Sequence, residues 1–202
     1  MNYSLTFSNN SDRPGIICLY LRPDGQDGGD APLSLAWRTA LVPLGGQAEF
    51  SWQANYAFAW AESGKLAPGS VFEAVQMLPT DPARPRKSAI ALNYRWGAYT
   101  FEPTERRADE GALCIFSEAA VPEGLAAVGI CLAGKPALAW NTMPNHRFIF
   151  RPSYRCWAAF GDFEPGEVLD VNRLSGAHEA RFPAAGGALS LVLEQDGSWT
   201  EG

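Results

Sequence analysis

The sequence predicts an all-β fold, an internally duplicated antiparallel β-sandwich with two repeats of about 100 residues, and three observations carry that prediction. Gly, Pro and Asn clusters break the chain every 8 to 14 residues, and the runs between them alternate apolar with polar at period two. The Ala-rich stretches 118–127 and 176–185 hold Pro122, Gly124, Gly176 and Pro183 where these would end a helix, so a turn or two of helix is the most expected there. Short strings also recur, in the same order, in the two halves of the chain.

In chain order, Tyr3, Leu5 and Phe7 alternate with Ser4, Thr6 and Ser8, which gives a strand one dry and one wet face. Ala48, Phe50 and Trp52 alternate with Glu49, Ser51 and Gln53, and Leu189, Leu191 and Leu193 repeat the pattern near the end. Between such runs stand turn formers: Asn9-Asn10-Ser11 with Pro14-Gly15, then Gly45-Gly46, Pro68-Gly69, Pro165-Gly166 and Asp196-Gly197, the last a two-residue hairpin candidate.

Leu35-Ala36-Trp37-Arg38-Thr39 recurs as Leu138-Ala139-Trp140-Asn141-Thr142, and Phe50, Trp52 and Tyr56 find Phe148, Phe150 and Tyr154. Trp60-Ala61, Gly64, Pro68-Gly69 and Val71 find Trp157-Ala158, Gly161, Pro165-Gly166 and Val168. This reads as a tandem duplication, with repeats at 1–103 and 112–202 and a polar linker at 104–111. Trp37 with Trp140, and Trp60 with Trp157, are expected at equivalent core positions. Each repeat has strands enough to close its own sandwich, but strand exchange into one pseudo-twofold body fits the alternation equally well.

Composition narrows the function classes. Sixteen basic against 22 acidic residues give a net charge of -6, the wrong sign for a protein that binds by neutralising phosphates, so nucleic acid is not an expected partner. No apolar run approaches the ~18 residues of a spanning helix, so no transmembrane segment is expected. The stretch 1–15 lacks the pattern of a secretory signal; a cytoplasmic protein is expected as encoded, with signal-independent secretion compatible. Cys18, Cys114, Cys131 and Cys156 lie far apart in apolar runs, which reads as buried free thiols; a Cys18 to Cys131 bridge between matched strands is the one disulfide worth testing.

Candidate functional residues are few. Common nucleotide and hydrolase signatures are absent, no cofactor is implied, and His146 and His178 stand in turns without metal or triad spacing. Asp24, Asp27 and Asp30 in a Gly-rich loop are weak Ca²⁺ candidates, since Ca²⁺ needs several converging oxygens, but a solvated hairpin loop fits them as well. Asp162 and Glu164, with Glu167 and Asp170, flank Pro165-Gly166 and are the acids an enzyme would use. Aromatics make up 12% of the chain, and Trp96, Tyr99 and Trp199, together with the acids Asp162 and Glu164, are the candidate ligand-binding residues; no residue is singled out as catalytic.

The strings Asn2-Tyr3-Ser4-Leu5-Thr6-Phe7-Ser8-Asn9-Asn10-Ser11, Leu33 to Trp37, Tyr56 to Gly69 and Phe160 to Asp170 resemble the rhizosphere-induced protein RhiA family of bacteria. The resemblance spans nearly the whole chain. It implies a protein made under quorum-sensing control by a plant-associated bacterium and used in host interaction, and it carries no catalytic residues onto this sequence. The expected function is therefore a non-catalytic binding protein whose partner is a glycan or a surface component of host or competitor, met by strand-connecting loops. A secreted toxin or pore-forming effector, and an enzyme using the carboxylates near Pro165-Gly166, are the two other readings. A homo-oligomer is compatible with all three, and a duplicated body would offer two quasi-equivalent surfaces that raise avidity.

Overall fold

The computed structural model describes residues 2–23, 31–152, 154–183 and 186–202. In chain order the strands are β1 (Asn2–Asn9), β2 (Gly15–Pro23), β3 (Leu33–Ser34), β4 (Arg38–Val42), β5 (Gln47–Gln53), β6 (Tyr56–Ala61), β7 (Gln76–Thr80), β8 (Ala89–Arg95) and β9 (Ala98–Glu102). They continue as β10 (Leu113–Ser117), β11 (Ala127–Leu132), β12 (Lys135–Asn141), β13 (Arg147–Phe150), β14 (Tyr154–Gly161), β15 (His178–Ala180), β16 (Gly187–Leu193) and β17 (Trp199–Glu201). No helix forms among the described residues, so the fold is all-β; Pro122 and Gly124 sit in the turns of 118–126, and Gly176 sits in the turn before β15.

The strands form four sheets, ordered β17-β16-β1-β5, β15-β14-β2-β4, β13-β10-β8-β9 and β3-β12-β11-β6-β7. The first two face each other, with Phe7 on Phe160 and Trp37 edge-on to Trp52. The last two also face each other, with Trp60 on Tyr99, Phe58 on Phe101 and Trp140 on Phe148. The first sandwich thus combines β1, β2, β4 and β5 with β14 to β17, while the second is β6 to β13 with β3 added at its edge. Every sheet takes strands from both halves of the chain. Matching β1 with β10, β2 with β11, β4 with β12, β5 with β13, β6 with β14, β7 with β15, β8 with β16 and β9 with β17 turns the order of each sheet into that of another.

The segment 104–111 joins β9 to β10 inside one sandwich, and its Arg106 lies over the Phe116 ring and pairs with Glu118. Two expectations are overturned by the strand pairing. The sheets are not wholly antiparallel: β1 runs parallel to β16, and β10 parallel to β8. Trp60 and Trp157 do not occupy equivalent positions. Trp60 enters the main core, whereas Trp157 packs on the opposite face of its sheet under the Arg22 guanidinium. A one-residue change of phase along a strand reverses the face, and string matching is blind to that. Trp37 and Trp140 are both in the main core.

One apolar core is continuous across all four sheets. The two inner sheets are also dry on their outer faces, where the connection 62–75 covers Ala59, Ala127 and Ala139, and the connection 162–177 covers Cys18, Tyr20 and Ala159. Hence β11 is buried along its whole length, and the run Ile17-Cys18-Leu19-Tyr20-Leu21 is buried without alternation. The two covering loops clasp through Gly69 N to Val168 O, Val168 N to Ser70 O and Phe72 N to Gly166 O. Residues 34–37 stitch the sandwiches together: Leu35 N and Ala36 N donate to Ala137 O and Glu167 O, Trp37 N to Leu19 O, and the Trp37 indole to Leu132 O at 2.8 Å.

Candidate functional site

A cavity of about 690 Å³ opens where the chain crosses between the sandwiches, beside Ala54, Tyr56 and Pro152. Its walls come from remote parts of the sequence: Tyr3 of β1, Leu21 of β2, Trp52 of β5, and residues 179–183 in and after β15. Period-two alternation aims Tyr3 and Trp52 the same way, and pairing of Tyr3 with Trp52 in the β1/β5 ladder sets their rings stacked at 5.6 Å. Phe182 stands edge-on to both, at 5.6 Å from Tyr3 and 5.3 Å from Trp52. Trp37 closes the floor, perpendicular to Trp52 at 5.1 Å.

The rim is charged. Glu179, its side chain 23% exposed, is held between Arg155 at 3.6 Å and Arg181 at 3.2 Å, and both arginines reach into water. The result is an apolar aromatic trough with a small set of hydrogen-bonding groups at its mouth, placed at a boundary between two packed bodies, which is where ligand pockets concentrate. Cys156 borders it, but burial pushes this thiol up to about 12, so it stays protonated and serves as a small apolar wall. The other three cysteines are buried and free as well. Cys18 and Cys131 lie on the outer faces of different sheets in separate apolar clusters, and no bridge joins them.

The residues singled out in the sequence are placed as follows. Trp96 and Gly97 are the two residues of the β8/β9 hairpin turn, and Trp96 is 99% exposed with φ of 52°. Tyr99, three residues on, is buried, its ring 4.7 Å from Tyr94 and its hydroxyl without a hydrogen-bond partner. It is a residue of the main core. Trp199 begins β17, where its indole N–H donates to Gly176 O at 2.7 Å and its ring stacks on His178 at 5.7 Å. Asp196-Gly197 does not form a two-residue turn. Gly197 N donates to Glu194 O and Glu194 N to Ser198 O, a three-residue loop with Gly197 at φ of 82°. Hydrogen bonds from the Ser198 hydroxyl and amide keep the Asp196 carboxyl below the usual carboxylate range.

Asp162 and Glu164 are exposed on their turn, where Glu164 N donates to the Glu167 carboxylate at 3.0 Å. That bond is structural: it fixes the turn whose Gly166 meets Phe72. Asp24, Asp27 and Asp30 lie outside the described residues. Among the described residues no cluster of His, Cys, Asp or Glu could hold a metal ion. Among the described residues no helix is long and apolar enough to cross a membrane.

Sequence reading missed the trough because its aromatic residues sit in strands, where they look like core, and because nothing in the chain says that 3, 52 and 182 meet. The signal present was the pairing of Tyr3 and Trp52 at in-facing ends of two short strands, with Arg-Phe-Pro following at 181–183.

An all-β protein of two strand-exchanged sandwiches, with an aromatic trough between them, is the class that these features define. The RhiA family model matches residues 1–201, and the chain belongs to that family. It is 28% identical over 200 residues to Protein RhiA of Rhizobium leguminosarum bv. viciae, covering 98% of this chain and 84% of that one. No solved structure matches.

Proposed function

We propose that the protein is a non-catalytic binding protein that takes a carbohydrate in the trough between its sandwiches. The observation that carries this reading is the Tyr3, Trp52 and Phe182 ring set opening beside the Arg155, Glu179 and Arg181 rim. The C–H face of a pyranose packs on aromatic rings, and its hydroxyls need both donors and acceptors at the edge, which two guanidinium groups and a carboxylate supply. Rings already packed against one another lose little freedom on binding. Membership of the RhiA family supports a place for such binding in contact with a host or neighbouring cells. The matched strand order of the sheets supports the duplication read from the sequence.

The test is a glycan array followed by calorimetry on any hit, with the full chain and with Phe182→Ala and Arg181→Ala. The expected result is binding of at least one glycan, weakened roughly tenfold or more by Phe182→Ala and unchanged by Trp96→Ala, which lies on an isolated turn. An array without a hit, or a hit indifferent to both trough variants, removes the proposal.

A further inference from the structure

A second cavity, about 340 Å³, lies at the end of the first sandwich. Three connections converge on it: residues 11–13 between β1 and β2, Ser175 and Gly176 before β15, and Gln195 to Gly197 in the β16/β17 hairpin. Trp199 forms its aromatic wall, with Phe160 and Leu193 below. The indole is fixed before any ligand arrives: its N–H is spent on Gly176 O, its face rests on His178, and His178 is held by Glu201 at 2.9 Å. Asn9 fixes the first of the three connections from beneath. Its fully buried amide donates to Arg13 O at 2.9 Å and Pro43 O at 3.2 Å and accepts from Ser11 N and Oγ.

The polar lining is mixed. Arg13 and Gln195 donate, Asp12 and Asp196 accept, Ser175 does both, and Ser11, whose hydroxyl proton goes to Asn9, accepts. An anion would meet two carboxylates, and a cation would meet the guanidinium. A neutral ligand with several hydroxyls and one apolar face satisfies the whole set, and the volume stands at the small end of the range for ligand pockets. We infer that this cavity is a second binding site, separate from the trough, for a single neutral sugar ring that lies against Trp199 and hydrogen-bonds to Asp12, Arg13 and Gln195. It shares no lining residue with the trough and holds or fails independently of that site.

The probes are the methyl pyranosides of glucose, galactose, mannose and rhamnose, titrated into the ¹⁵N-labelled full chain, with inorganic phosphate as the anionic control. The Trp199 indole resonance is identified by its loss in Trp199→Phe. At least one glycoside is expected to move that resonance and the amides of 11–13 and 195–197 saturably. The same titration with Phe182→Ala leaves these shifts in place even if the trough is lost. Asp12→Asn and Gln195→Ala, both exposed positions that preserve the fold, weaken the titrated affinity roughly five- to tenfold. The inference is overturned if all four glycosides leave these signals still, if phosphate alone moves them, or if the shifts map only to Tyr3, Trp52 and Phe182.

Discussion

The hairpins β8/β9 and β16/β17 hold matching places at the ends of their sheets, yet one is closed over and the other stands beside an open cavity. In the first, Tyr99 pairs with Tyr94 and is buried; in the second, Trp199 pairs with Leu193 and stays half-exposed. The connections beside them differ. Residues 118–126, between β10 and β11, send Val121 and Ala126 into the main core, whereas the shorter 10–14, between β1 and β2, sends nothing there. The short connection is instead tied down by the amide of Asn9 beneath it. Loop length differs between the two ends as strand pairing does not, and the end with the shorter connection is the one beside the open cavity.

The largest break in this comparison is expected from Asn9→Ala, which removes the buried amide's hydrogen bonds to Arg13 O, Val42 O and Pro43 O and those it accepts from Ser11. The expected loss of stability is about 2–3 kcal/mol by urea denaturation, with faster amide exchange at residues 11–13. A loss below ~0.5 kcal/mol would mean that the short connection holds itself. Val121→Ala, on the sealed side, is expected to cost about 1–2 kcal/mol, the burial of two methyl groups plus the hole left. If 118–126 is only a surface loop, that variant will denature with the parent.

The smallest effect has the opposite sign. Trp96 adopts a left-handed conformation in a two-residue turn that favours Asn, and its side chain touches water on nearly all sides. Trp96→Asn is expected to raise stability by about 0.5–1 kcal/mol, read as a higher Tm. A lower Tm would show that the indole makes contacts that its exposure hides.

Alternation made the strands legible, because a residue's face follows from its parity along the chain. Leu5 and Phe7, and Leu191 and Leu193, are core residues as their spacing requires. Partners were not legible. Nothing in Leu189 to Leu193 says that its neighbour is β1 rather than β8, and a sandwich closed within one half would alternate in the same way. The outer burial of Cys18, Tyr20 and Cys131 also escaped, since it depends on where the connections 62–75 and 162–177 lie down. The site was less legible still. Trp199 was singled out for its type and position and does border a cavity, but Tyr99, chosen on the same grounds, is sealed by tertiary packing.

The crossing of the chain between sandwiches also sets an order of assembly. Residues 56–150 contain every strand of the second sandwich except the short β3, which is made before them, so that body can close while the ribosome is still making the rest. The first sandwich cannot: β1 needs β16 and β2 needs β14, and these partners are the last to emerge. The opening fifty residues must therefore wait, with apolar edges open, for a partner made after the middle of the molecule has finished folding.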